Sequence, residues 1–526
     1  MAAFHTIPVE LVFRIFDQAN DVSLLASIQN VCHRFNQILK VYPRYHTLTI
    51  LNLRDNPIGD QATQHLADAL QDNTTLTTLD LWNNQIRKGG AKHLAGALRV
   101  NTTLTTLNLQ YNKIENEGAQ HLANALQANT SLIDLNISLN TIDDEGIQHL
   151  AKAIGINTTL TILNLGCNII GYEGAQHLAD ALRINKSLTT LHLWTNQISD
   201  KGAESLADAL RVNMTLVMLD ISSNQIAEKG IQYLADALHI NMTLTTLKLG
   251  YNEIGDRAAQ RLADALKVNA TLTTLDLSNA QIGNQAVQYL ADALQTNMTL
   301  TTLKLGDNPI EEQGAQYLAQ ALRVNTTLST LDLQWTHIRQ QGAHHLIDAL
   351  SINNTLTTLD LLFDQIGDQA AQHLGDILQI NSAITTLELN SNEIGHQGAQ
   401  HLADALQINT TLTSLHLGNN NIGDQGAQSL AGALRVNNTL TTLDLNANQI
   451  EQQGIQHLAN ALHTNTTLTI LRLDRNILEE QGIQQLVNAL EVNTTLITLD
   501  LQCNGIETLQ AKQLVDTLRK DTRVLI

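Results

Sequence analysis

Histidines at His65, His93, His121, His149 and His177, and again at His345, His373 and His401, recur at a step of 28 residues. Imidazoles meeting across neighbouring repeats would be zinc-ligand chemistry. The same phase holds Ser205, Tyr233, Arg261 and Tyr289, and no cysteine or carboxylate completes a ligand set, so neither metal nor cofactor is expected. Acids recur at another phase as Asp220, Asp276, Asp332, Asp360, Glu388, Asp444 and Asp500, interrupted by Lys248, Lys304, His416 and Arg472. Carboxylates held at unequal pKa values would be acid–base chemistry. These occupy equivalent rows expected to be solvated, so no catalytic residue is assigned and no enzyme is expected. Cys32, Cys167 and Cys503 are too few and too scattered for a disulfide framework, which fits a reducing compartment.

The elements that carry these rows repeat with the same period. Leu76, Leu79, Leu81, Asn84 and Ile86 return at every step of 28 through Leu496, Leu499, Leu501, Asn504 and Ile506. A period in this range predicts a solenoid. Of 17 positions in the asparagine phase, from Asn56 to Asn504, 14 are Asn; the departures are Ala280, Thr336 and Asp364. Leu79 and Leu81 alternate with Asp80 and Trp82, the period of a half-buried strand, and Ala91, Leu94, Ala95 and Leu98 follow at helical spacing. Each repeat is one strand and one helix. Stacked, they give a parallel sheet on the concave side of a right-handed α/β horseshoe, with helices outside. The phase asparagines are expected to pair with buried backbone groups, and a local irregularity is expected over 280–364 where they are replaced.

Composition narrows the partners. Lys and Arg number 30 against 50 Asp and Glu, a formal charge of −20, which repels nucleic acid. No apolar run reaches the roughly 18 residues that a membrane helix needs, and Glu10 and Arg14 interrupt the apolar start, so neither a membrane nor a secretory signal is expected. Sequons at Asn73, Asn101, Asn129, Asn157 and Asn213 share one phase and read as a repeated polar turn rather than as glycan acceptors.

Residues four, two and one before the asparagine phase are the variable ones and should face the hollow. All three tryptophans, Trp82, Trp194 and Trp335, fall there, as do Tyr111, Tyr251 and Phe363. Large rings facing solvent are candidate contacts for a protein target. The tightest patch predicted is Trp335, Leu362 and Phe363, framed by Asp332 and Asp360, with Glu388 next in the acidic row. The alternative for each ring is that it lies over its neighbour's backbone.

The pattern LxxLxLxxNxI in a strand and helix unit resembles the leucine-rich repeats of the ribonuclease-inhibitor class, a subclass also seen in the sensing regions of nucleotide-binding innate immune receptors. That resemblance covers about residues 48–520, and the repeat domain is expected over residues 48–526, with about 17 repeats and a C-terminal helical cap. It implies a binding surface and no activity.

Residues 1–47 lack the repeat. Apolar residues at helical spacing predict three short helices, led by Leu11, Ile15 and Phe16 after Pro8. The order Ile7-Pro8, Leu11, Ile15-Phe16, Leu24-Leu25, Val31-Cys32 and Arg34-Phe35 resembles an F-box. The resemblance implies that Ile7, Pro8, Leu11, Ile15, Phe16, Leu24, Val31 and Phe35 dock a Skp-type adaptor, and through it cullin and RING subunits. It makes the chain the substrate receptor of an SCF-type ubiquitin ligase, acting by proximity. The alternative is a non-enzymatic scaffold or inhibitor whose first 47 residues only cap the solenoid. The near-identical repeats rich in Asn, Gln and Thr also resemble an effector of an intracellular bacterium such as Legionella. A cytoplasmic location follows, or host cytoplasm after secretion.

Overall fold

The computed structural model describes residues 48–504 and 523–525. The chain divides into two compact units, Met1–Glu253 and Ile254–Ile526. In the first, strands β1 (Ile50–Asn52) to β8 (Thr246–Lys248) alternate with helices α1 (Gly59–Asp72) to α7 (Glu228–Leu238). In the second, α8 (Gly255–Leu266) to α16 (Glu480–Leu490) alternate with β9 (Thr274–Asp276) to β17 (Thr498–Asp500), and β18 (Arg523–Leu525) pairs with β17. Within each unit neighbouring strands are parallel and in register at 28 residues, as Leu51 with Leu79 and Leu331 with Leu359, except that β18 pairs with β17 at 25. This is the expected α/β leucine-rich-repeat solenoid. The helical segment of residues 1–47 and the C-terminal helical cap lie outside the described residues.

One repeat shows why the pattern folds. Leu328, Leu331, Leu333 and Ile338 from the strand and its turn meet Ala343, Leu346, Ile347, Ala349 and Leu350 from the following helix, and all are buried. Burying a leucine or isoleucine contributes about 1.5–3 kcal/mol, but a strand of three residues, Thr330–Asp332, cannot stand alone. Helices of adjacent repeats close over the leucines because alanine and glycine line their contacts, and each repeat completes its core against the next.

Two asparagine ladders tie the turns. In the first, Asn308 donates from Nδ2 to the carbonyls of Leu277 at 2.9 Å, Leu305 at 2.8 Å and Gly306 at 3.2 Å. Its Oδ1 accepts from the Ala280 and Ile282 amides at 2.9 and 3.0 Å. The second ladder is formed by the sequon asparagines. Asn353 is buried, donates to the Leu322 carbonyl at 2.8 Å and accepts from the Leu356 amide at 2.8 Å. These amides join one helix end to the next turn. Asn101, Asn129, Asn157 and Asn213 occupy this repeated polar turn and are buried in it.

The strand register continues through β9, β10 (Thr302–Lys304), β11 (Thr330–Asp332), β12 (Thr358–Asp360) and β13 (Thr386–Glu388) despite the three replaced asparagines. The irregularity sits in the turns. After Thr336 and again after Asp364 two residues adopt left-handed backbone, His337 with Arg339 and Gln365 with Gly367, where other described turns have at most one at these positions. At Ala280 the carbonyl that a ladder amide would meet, Leu249 O, still receives Asn252 Nδ2 at 2.8 Å. The Ala280 amide itself still meets Asn308.

Candidate protein-binding face

The turn after each strand sets which side chains face outward. The residue one before the ladder has φ between 49° and 66° at all 17 repeats, from Asp55 to Cys503, and none is glycine. Left-handed backbone costs a non-glycine residue roughly 1–2 kcal/mol. The conformation is imposed by flanking ladder bonds and holds whatever the side chain, so this position is free to vary in chemistry while it is buried in none of the repeats. Trp335 and Phe363 occupy it in β11–β12 turns, at φ 57° and 66°.

Their rings stack with centroids 3.7 Å apart and planes 7° from parallel. Backbone bonds hold the pair, Trp335 N to Leu362 O at 2.8 Å and Phe363 N to Asn390 O at 3.1 Å. Trp335 remains 42% and Phe363 37% exposed, so the stack buries their mutual faces and leaves an aromatic edge to solvent. Leu362, half-buried, precedes Phe363 in the turn.

The other rings divide. Trp82 and Tyr111 lie 6.2 Å apart at 27°, with Tyr111 exposed, and Tyr251 is exposed without a ring partner among the described residues. Trp194 lies over the backbone of Gly166: a Cβ there would stand 2.2 Å from its Cε2. For Trp194 the structural alternative therefore holds, and the signal was present in the glycine 28 residues earlier. Near it a shallow polar depression of about 380 Å³ is lined by Cys167, Thr195, Ser223 and Tyr251 among others.

The acidic row proves partly structural. Asp332 Oδ1 accepts the Gln334 amide at 3.2 Å and Asp360 Oδ1 the Leu362 amide at 3.0 Å, turns that Asp276 and Asp444 repeat. Aspartate and asparagine suit this position because each caps the amide two residues on. The expectation that these carboxylates are solvated and equivalent is overturned. Asp332 is only 7% exposed, and Asp360 and Glu388 are half-buried. Burial, with the charges of Asp332 and Glu388, pushes the Asp360 carboxyl up to about 6, and burial also raises Asp332 and Glu388. Burial acts on Asp220 and Asp444 too, but His192 and Lys248 near the first, and His416 and Arg472 near the second, hold those carboxyls below the usual range. The sequence reading missed this division because it follows from which ions sit on the adjacent strands.

Beneath the stack, Asp364 replaces a ladder amide. Its Oδ1 accepts from the Thr336 amide at 2.8 Å and hydroxyl at 3.1 Å, while Oδ2 is buried without a partner. Burial raises this carboxyl to about 7, against the opposing pull of the Thr336 hydrogen bonds. Thr336 Oγ1 also lies 2.6 Å from the Leu333 carbonyl.

Ile7, Pro8, Leu11, Ile15, Phe16, Leu24, Val31 and Phe35, assigned to an adaptor, lie outside the described residues. Among the described residues no helix is long and apolar enough to cross a membrane.

Two families of leucine-rich repeat match the chain. The NLRC3 LRR domain matches residues 150–524, and the Leucine Rich repeat family matches 46–62, 72–95, 100–123 and 128–151. Neither is a catalytic family. No curated protein matches. Among solved structures, Leiomodin-1 Actin-Binding Site 2 (ABS2) is 26% identical over 30% of this chain and 88% of that one, with a TM-score of 0.26, too low to build on.

Proposed function

The chain belongs to the leucine-rich-repeat family described as the NLRC3 LRR domain, and from that premise we propose that its strand face binds a protein at the Trp335–Phe363 stack. Leucine-rich repeats are protein-binding scaffolds, which is the coarse function. The choice of surface rests on one observation: two large rings stacked at 3.7 Å and left open to solvent, at a turn that does not need them. Exposed, rigid aromatics carry much of the energy of protein interfaces. The acids beside them, Asp332, Asp360 and Glu388, set the charge of the surface. Trp82 with Tyr111, and Tyr251, extend the same reading to the strand face of the first unit. Changing Trp335 and Phe363 together to serine should abolish retention of the partner; unchanged retention by a folded double variant contradicts the assignment.

The finer reading is a substrate receptor. Under it, residues 7–38 dock a Skp-type adaptor, which brings cullin and RING subunits to whatever the strand face holds, in host or resident cytoplasm. Its support is the F-box-like order of Pro8, Ile15-Phe16, Leu24-Leu25 and Val31-Cys32 with Arg34-Phe35. Calorimetry with a purified Skp adaptor tests it. Micromolar or tighter binding, lost in a folded Pro8→Ala, Ile15→Ala, Phe16→Ala variant, supports the receptor; no binding by the parent leaves a scaffold whose first residues serve as a cap.

A further inference from the structure

We infer that the strand face at Asp332, Asp360 and Glu388 takes an arginine-bearing, extended segment of the partner protein, its guanidinium among the three carboxylates and neighbouring residues against the Trp335–Phe363 rings. This rests on the protein-binding reading above and adds the chemistry of the occupant.

The row shows a missing cation. Asp332 pairs in register with Asp360, and Asp360 with Glu388. Adjacent strands stand about 4.8 Å apart, so three carboxylates crowd within the span of one side chain. At two other acids of the row a base is within ion-pair distance: Asp220 lies 3.7 Å from Lys248 and 3.6 Å from His192, and Asp444 lies 3.5 Å from Arg472. Glu388 reaches His416 at 3.3 Å on its far side. Asp360 is the one described acid of the row with carboxylates on both adjacent strands. Among the described residues no ion pair reaches Asp332 or Asp360; Lys304 is in register with Asp332, yet not within ion-pair distance.

The position is costly as it stands. Half-burial and like charge on both sides disfavour the ionised form of Asp360, as the raised carboxyl shows. A ligand cation removes both penalties at once. Arginine fits better than lysine because its planar fork meets two carboxylates together and its face packs on aromatic carbon. The rings, three residues along the chain from Asp332 and Asp360, place an apolar contact within one extended segment's reach.

The experiment uses the full chain with Trp82→Phe and Trp194→Phe, so that Trp335 is the only tryptophan and is excited selectively over the tyrosines. The probe is a nonapeptide of alternating Arg and Leu, compared with the same peptide carrying citrulline for arginine, at about 0.15 M salt to screen diffuse attraction. The inference expects Trp335 emission to change with the arginine peptide. Affinity should fall about tenfold or more with citrulline or with Asp360→Asn, and not with Asp292→Asn on the exposed helix side. Equal loss from Asp292→Asn and Asp360→Asn, or no binding by the parent, overturns it. Equal binding of both peptides, lost in Phe363→Ala, overturns the arginine assignment and leaves the aromatic surface standing. Arginine-dependent binding that survives Phe363→Ala but fails in Asp360→Asn keeps the cation site and removes the rings from it.

Discussion

Asn308→Ala is expected to lower the stability of its repeat by roughly 3–6 kcal/mol, since each buried group left unpaired costs about 1–3 kcal/mol. The asparagine makes five hydrogen bonds, and its loss strands the Ala280 and Ile282 amides with no other acceptor in hydrogen-bond range among the described residues. The Leu277 carbonyl loses its Nδ2 donor as well. Solenoid stability is close to a sum of repeats and their contacts, so the damage should begin locally. Urea unfolding followed by circular dichroism should show a transition at lower denaturant, and hydrogen exchange should be fastest near residues 280–310. Ala280→Asn is the contrasting case, with little change expected, because alanine there is already accommodated. Equal effects from the two substitutions would mean that the ladder is not a set of distinct rungs.

Asp364→Asn should stabilise the protein at pH 8 and do little at pH 4. The folded carboxyl titrates at about 7, above its ordinary value of 3.8. Between those values the unfolded chain has released a proton that the folded chain keeps, so native stability falls as pH rises from about 4 to about 7. The penalty is then complete. At about 1.4 kcal/mol per unit it has a ceiling on the order of 4 kcal/mol. Asparagine removes the charge and supplies a donor where Oδ2 now lies buried and unpartnered. Thermal unfolding of parent and variant between pH 4 and 8 checks this. Parallel curves across the range would show that Asp364 is not the group responsible.

Much of the fold was legible because a solenoid writes its neighbours into its period. Leu79, Leu81 and Asn84 announce a buried strand and ladder, and Trp335 and Phe363, 28 residues apart, had to be adjacent. What stayed hidden depends on conformation between equivalents. The left-handed turn holds for Trp335, Thr195 and Arg475 alike, so residue type carries no trace of it. The second ladder was legible as a repeated polar turn, but its burial was not, because an Asn-x-Thr turn such as the one at Asn353 is polar at both named positions. Asp360 looks like Asp444 in sequence; only the ions on adjacent strands separate them. An exposed row of β-branched residues at the C-terminal ends of the helices, including Ile184, Val212, Ile240 and Ile380, was also missed. It was hidden because those residues sit next to the buried second-ladder asparagines Asn185, Asn213, Asn241 and Asn381 and share their period.

The binding face is tested most directly by a photoreactive benzoyl-phenylalanine placed singly at Phe363 or, as a comparison, at Ile380, which is exposed after α12 (Gly367–Leu378). Crosslinked products are identified and counted by mass spectrometry, with and without excess unlabelled parent protein. A strand face that binds protein at the stack predicts discrete adducts from position 363 that the parent competes away, and few from 380. Equal, non-competed labelling from both positions would contradict it.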